Sequence, residues 1–169
     1  DYATPYRGAR IADRIADDLL NACHRVVRGS ASVGEAAASL GITDGETAAF
    51  RRGLDAIAAT YERLSERLDG RSDALLATHV PPFGTSFDRH HAVGTRETDR
   101  EHLHTGSIAL ALAVRDHDVF AAFSGHSHAF GYDAGDEGDG RPHLLNLGFR
   151  GVGLVTVDPV RGEFAFARR

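Results

Sequence analysis

The chain has 169 residues, 42% apolar and 25% charged, a composition that indicates a folded globular protein and excludes a disordered one. Its net charge of −5 gives no electrostatic reason to expect nucleic acid, and the single cysteine excludes an intrachain disulfide and a cysteine-based zinc site. No apolar run approaches the roughly 18 residues of a membrane span. No signal peptide opens the chain, so we expect a cytoplasmic protein without membrane contact.

The N-terminal part of the chain, residues 1–72, is predicted to be helical. Thr4-Pro5 suits the start of a helix, and Ile11, Ile15 and Leu19 recur every four residues as one apolar stripe. We expect this helix to end near Gly29, where the residue type favours termination.

Two capping-box patterns follow, each with a hydroxyl residue three positions before a glutamate. Ser32 to Glu35 predicts a short helix that ends at Gly41. Thr43 to Glu46 predicts a longer helix that ends at Gly70, with an apolar face formed by Leu54, Ile57, Tyr61, Leu64 and Leu68.

The second part, residues 73–169, has the pattern of an α/β segment. Residues 74–77 predict a buried strand that ends at Thr78-His79, and residues 119–123 a second strand that ends at Gly125-His126-Ser127-His128. The apolar stretch 107–114 predicts a helix between these strands. Residues 133–140 are acidic and glycine-rich, which predicts a solvated turn. Three further strands are predicted around 143–147, 151–157 and 163–167.

Three histidines in this segment form a candidate metal site. His79 follows one predicted strand, and His126 and His128 follow the next. Ligands gather at the carboxyl ends of strands in open α/β sheets, and residues two apart in extended backbone point the same way. Imidazole is a common ligand of transition metals. The alternative is chance, because the chain contains ten histidines.

The motifs of this segment resemble those of the calcineurin-like metallophosphoesterases, in particular the small bacterial and archaeal branch. Thr78-His79-Val80-Pro81-Pro82-Phe83-Gly84-Thr85, followed by Phe87-Asp88, is similar to the THxPP motif of that branch. His104-Thr105-Gly106-Ser107 is similar to its HxGS motif, and Gly125-His126-Ser127-His128 to its GHxH motif. Leu145-Asn146-Leu147-Gly148 lies where the branch has an NPGS-like strand, although the proline and serine are absent here.

The resemblance implies a metal-dependent hydrolase of a phosphomonoester or phosphodiester. Two divalent ions (Mn, Fe, Zn or Ni) would lie roughly 3.5–4 Å apart. His79 and His126 would bind one ion and His128 the other. The implied fold class is α/β, as the C-terminal half of a metallophosphoesterase β-sandwich flanked by helices, with an N-terminal helical insertion.

The chain departs from the family in its N-terminal part. None of the family's Asp-x-His, Gly-Asp-x-x-Asp and Gly-Asn-His motifs precedes Thr78. No catalytic residue is therefore identified in this chain. We expect residues 1–169 to be one partial domain that is inactive or nearly so without the missing motifs.

The remaining candidates leave alternatives open. His104 could contact substrate or support a metal ligand, or it could be held by local hydrogen bonds. Asp88 is expected to anchor its loop and could orient a ligand histidine. His90 and His91 are expected to be exposed, with substrate contact as the alternative. Arg89, Arg96 and Arg100 are expected to form a solvated face, with attraction of phosphate as the alternative. The remaining histidines are expected to be structural or exposed. A different function, a nucleic-acid-binding module, is suggested by a helix-turn-helix-like pattern at residues 33–53, although that pattern offers only Arg51 and Arg52 as basic residues.

Overall fold

The computed structural model describes residues 11–85, 87–88, 103–134 and 142–168. This part of the chain contains four helices and eight strands in three sheets. In chain order the elements are β1 (Ile11–Ala12), α1 (Asp13–Val27), α2 (Val33–Ser39), α3 (Asp44–Leu68), β2 (Ala74–Ala77), β3 (Leu103–His104), α4 (Ile108–Asp116), β4 (Val119–Ser124), β5 (Phe130–Asp133), β6 (His143–Leu147), β7 (Gly153–Asp158) and β8 (Glu163–Arg168).

The starts of α2 and α3 follow from the predicted capping boxes. The Ser32 hydroxyl accepts a hydrogen bond from the Glu35 N–H, and the Glu35 carboxylate accepts one from the Ser32 N–H. The Thr43 N–H and hydroxyl both donate to the Glu46 carboxylate. These bonds satisfy amide groups that the first helical turn leaves without intrahelical partners, so both predicted starts are confirmed.

The helices bury their apolar faces in one core. The buried side of α3 consists of Phe50, Leu54, Ile57, Tyr61 and Leu68. The same core includes Leu19 of α1 and most of the buried residues 108–113 of α4. Partly buried Leu76 of β2 packs against it, so this core joins the helices to the sheet.

The central sheet has four strands in the order β2-β4-β6-β5. Strands β2, β4 and β6 are parallel, and β5 is antiparallel to β6. Helix α4 lies between β2 and β4 in the sequence, as predicted for an α/β crossover. Because these neighbouring strands run in the same direction, the residues that follow β2 and β4 meet at one end of the sheet.

Strands β7 and β8 form a separate antiparallel hairpin. Phe164 of this hairpin stacks on Phe123 of β4 at 6.1 Å and on Tyr132 of β5 at 5.4 Å between ring centroids. Aromatic contacts therefore hold the hairpin against the central sheet. Its other side is open, and Leu154 is 66% exposed.

The α/β class is as predicted, but several local expectations need correction. Ile11 lies in β1 and not in the first helix, because residues 11–12 pair with residues 103–104 of β3. Strand β5 was not predicted. The proposed helix start at Thr4-Pro5 and most of the turn at 133–140 lie outside the described residues. No helix in the described ranges is long and apolar enough to cross a membrane.

Candidate metal centre

His79 and His126 meet at the carboxyl end of the central sheet. His79 lies just beyond β2, and His126 just beyond β4. The Gly125 N–H donates to the His79 carbonyl at 3.1 Å, which joins the two loops through their backbones. The His126 Nδ1 and His79 Nε2 atoms are 3.2 Å apart. The crossover topology therefore brings together side chains that are far apart in the sequence.

The separation of these two nitrogens fits a shared metal ion. With metal–nitrogen bonds of about 2.1 Å, two ligands of one ion lie roughly 3.0 Å apart at 90° and roughly 3.4 Å apart at the tetrahedral angle. The observed 3.2 Å lies between these values. The same distance also suits a hydrogen bond between two neutral imidazoles. The donor chemistry and spacing thus fit two ligands of one divalent ion.

His128 lies apart from this pair. Its ring is exposed and packs against Phe149, with centroids 4.8 Å apart. Within the residues that the structure describes, no three His, Cys, Asp or Glu side chains are grouped to hold one ion. The structure thus brings together two of the three predicted ligands, whereas His128, two residues after His126 on the loop that follows β4, is not grouped with them.

The backbone of this loop differs from the expected extended form. His126 and His128 have φ values of +64° and +61°, in the left-handed region that residues other than glycine rarely adopt. Ser127 between them is fully buried, and its hydroxyl donates to the Phe87 carbonyl. The expectation of extended backbone at His126 and His128 was wrong, because the chain turns as it leaves β4 and anchors Ser127 inside.

Asn146 holds this turn in place. Its side-chain amide donates to the Gly125 carbonyl at 2.7 Å and to the Ser127 hydroxyl at 3.0 Å, and its side-chain oxygen accepts from the Gly148 N–H at 2.9 Å. Asn146 is fully buried. Sequence reasoning assigned it no role. The only signal was its place in the NPGS-like segment, because its partners become neighbours only when β4 pairs with β6.

Asp88 and His104 form a second buried cluster. Asp88 is 0% exposed and His104 is 3% exposed, and the Asp88 carboxylate bonds to the His104 Nδ1 at 2.5 Å. The carboxylate also accepts from the Gly84 N–H at 2.9 Å, and the Thr105 hydroxyl donates to the Asp88 carbonyl. Burial raises the pKa of Asp88 above its usual 3.8, and the hydrogen bond from His104 opposes this increase.

This geometry bears on the roles predicted for Asp88 and His104. Asp88 anchors the loop after β2, as expected. The burial of His104 and its bond to Asp88 agree with local hydrogen bonding, and support of a metal ligand stays a prediction.

The other described histidines make structural contacts. His24 bonds to Asp116, His117 to Ser65, and His143 to Tyr132. Five further residues with predicted roles lie outside the described part of the chain: His90, His91, Arg89, Arg96 and Arg100.

Comparison of the chain with family models, with curated proteins and with solved structures gives no match. The resemblance to metallophosphoesterases therefore rests on the sequence motifs of residues 78–148.

Proposed function

We propose that this chain supplies metal-binding histidines to a metal-dependent phosphoesterase. We further propose that its α/β fold is part of a metallophosphoesterase sandwich. The observation that carries the proposal is the 3.2 Å approach of the His79 and His126 nitrogens at the carboxyl end of a parallel sheet. This is the position at which open α/β sheets bind their ligands.

In this proposal His79 and His126 hold one divalent ion, and His128 reaches a second. Such ions stabilise charge on phosphoryl oxygens and lower the pKa of bound water. The histidines bind as neutral imidazoles, so the site is favoured at neutral pH and lost in acid. The backbone bond between Gly125 and His79, with the Asn146 contacts, fixes the two loops before an ion enters.

Metal binding by the chain tests the first part of the proposal. Isothermal titration with Zn²⁺ should show that His79→Ala and His126→Ala each weaken binding by more than the roughly 10- to 100-fold that follows loss of an outer partner. His117→Ala is the matched control, because His117 bonds to Ser65 away from the pair. Equal zinc affinity in all four proteins would contradict the assignment.

Hydrolysis tests the second part. The chain alone is expected to cleave phosphate esters slowly or not at all, because the described residues offer no carboxylate grouped with the two histidines. A longer protein that contains the family's N-terminal motifs should hydrolyse bis(p-nitrophenyl) phosphate or p-nitrophenyl phosphate with added Mn²⁺. If the longer protein binds metal but cleaves neither ester, the phosphoesterase assignment fails while the metal site stands.

The alternative function, nucleic-acid binding, stays a prediction. In a helix-turn-helix, the N-terminal residues of the second helix face the bases. Here that turn of α3 carries Asp44 and Glu46, which would repel phosphate, before the exposed Arg51 and Arg52. Titration of a labelled DNA duplex at low salt would detect such binding, and no binding there would remove the alternative.

A further inference from the structure

An exposed aromatic residue lies directly beside the histidine loop. Phe149 is 57% exposed, and its ring contacts the His128 ring at 4.8 Å between centroids. The Arg150 guanidinium lies over the same ring, 5.0 Å from its centroid. An apolar ring, a cation and a candidate metal ligand thus lie side by side on the surface.

Backbone strain in the described residues is concentrated in the histidine loop and in the adjoining loop that contains Phe149 and Arg150. Four non-glycine residues in the described ranges have positive φ, and three of them, His126, His128 and Arg150, lie in these two adjoining loops. Such residues cluster at functional sites, where the surrounding structure holds them in place. The strain therefore extends from the histidine loop to the Phe149 loop.

The two loops are also tied to each other. The Phe149 N–H donates to the His128 carbonyl at 3.3 Å, and Asn146 bonds to Gly148 on one side and to Gly125 on the other. Gly151 closes the second loop tightly, because a Cβ atom there would lie 1.9 Å from the Leu147 carbonyl oxygen. Phe149 is therefore held at a fixed place relative to the histidines.

We infer that Phe149 recognises the organic group of the substrate and that Arg150 pairs with its phosphate, and that the substrate is a phosphate ester bearing a planar aromatic group. This inference rests on the proposed function, since the histidine site has to hold the phosphate end. The Phe149 ring offers a surface on which an aromatic group stacks, and the guanidinium of Arg150 pairs with phosphate oxygens. A simple aryl ester and a nucleoside monophosphate share this chemistry.

A second pair in the chain shows why the location matters. Arg168 lies over the Phe130 ring at 4.7 Å, but Phe130 also packs against Phe166 of the hairpin at 6.0 Å. That pair belongs to the interface between the hairpin and the central sheet. Phe149 is more exposed than Phe130, and it contacts a predicted metal ligand. Phe149 is therefore better placed than Phe130 to contact a bound molecule.

Binding of two phosphonates to the zinc-loaded chain tests the inference. Phenylphosphonate and methylphosphonate are resistant to hydrolysis and differ in the aromatic ring. By calorimetry, the wild type should bind phenylphosphonate roughly two- to tenfold more tightly, the range expected for one aromatic contact. Phe149→Ala should abolish this preference, and Phe149→Tyr should retain it. Arg150→Gln should weaken both phosphonates by a similar factor of roughly two to five.

Matched exposed positions on the hairpin provide controls. Leu154→Ala removes an exposed apolar side chain, and Arg161→Ala removes an exposed cation, so both variants should bind the phosphonates as the wild type does. Adenosine monophosphate and ribose 5-phosphate form a second pair of probes. Tighter binding of adenosine monophosphate than of ribose 5-phosphate would identify the substrate as a nucleoside ester. If only phenylphosphonate binds more tightly than its partner, the substrate is a small aryl ester.

Three results would overturn the inference: no phosphonate binding, equal affinities in the wild type, or a preference that survives Phe149→Ala. The zinc titrations of the His79 and His126 variants separate this failure from failure of the proposed function. If those titrations succeed and the phosphonate comparison fails, only the substrate inference is lost.

Discussion

At the scale of single residues, the contact between Asp88 and His104 joins two buried ionisable side chains. Both side chains are buried, and the carboxylate also accepts a backbone hydrogen bond from Gly84. A buried ionisable group is tolerated because its partner compensates for lost water. Removal of one partner leaves the other buried and uncompensated, so the pair should behave as a unit.

A double-mutant cycle tests this coupling. His104→Ala and Asp88→Ala should each lower the free energy of unfolding by about 3–5 kcal/mol, and the double variant should lose clearly less than the sum. Urea unfolding followed by circular dichroism gives the three values. Additive losses would mean that the two side chains stabilise the fold independently.

At the scale of elements, the loop after β2 packs against the start of α4. The Ser107 hydroxyl accepts from the Leu110 N–H, which caps the helix, and Asp88 accepts from the Gly106 N–H just before it. Gly106 allows this approach, since a Cβ atom there would lie 2.7 Å from the Asp88 carboxylate and the Phe83 backbone. The loop, the carboxylate and the helix start therefore form one packed unit.

Gly106→Ala should accordingly destabilise the protein by about 1–3 kcal/mol, the usual cost of overpacking a closed site. Gly45→Ala in α3 is the control, because a Cβ atom there meets nothing within 4 Å and alanine favours helix. Thermal unfolding of the two variants gives the comparison. A Gly106→Ala protein as stable as the control would show that the loop relaxes without loss.

At the scale of the whole molecule, polar and aromatic contacts join the layers. Asp116 of α4 accepts from Tyr61 of α3 and bonds to His24 of α1. Burial alone would raise the pKa of Asp116, but the bonds from Tyr61 and His24 outweigh it and hold the pKa below its usual 3.8. Between the sheets, His143 of β6 stacks on Phe164 of β8 at 4.5 Å, and within the central sheet His143 bonds to Tyr132 of β5.

The stability of this second junction should depend on pH. Burial lowers the pKa of His143 below its usual 6.5, so the unfolded chain binds a proton more readily than the folded one. Stability from this group is present above pH 6.5 and is lost as the pH falls below that value towards the lowered pKa. Urea unfolding at pH 7.5 and 5.5 should show a smaller decrease for His143→Phe than for the wild type.

Tyr132→Phe is the control for this prediction. It removes the hydrogen bond to His143 while the titrating ring remains, so its dependence on pH should persist. An unchanged pH dependence in His143→Phe would assign the effect to other groups.

The sequence predicted those features that depend on neighbours along the chain. The caps at Ser32 and Thr43, and the crossover from β2 through α4 to β4, follow from local patterns. Strand β5 did not follow, because its residues Phe130–Asp133 include glycine and aspartate and are ordered by pairing with β6. For the candidate site, motifs and strand ends predicted three histidines, of which the structure brings His79 and His126 together. The role of Asn146 was not predicted, because its contacts are made across the sheet.

The left-handed backbone of His126 and His128 has a consequence for how this protein evolves and is engineered. A non-glycine residue in that region costs roughly 1–2 kcal/mol, and a domain of this kind is stable by only about 5–15 kcal/mol. Glycine or asparagine at both positions would relieve that strain, so selection for thermal stability alone would replace these histidines. Under the proposed metal site this cost is borne by two of the predicted ligands, so stabilising substitutions should be sought elsewhere in the chain.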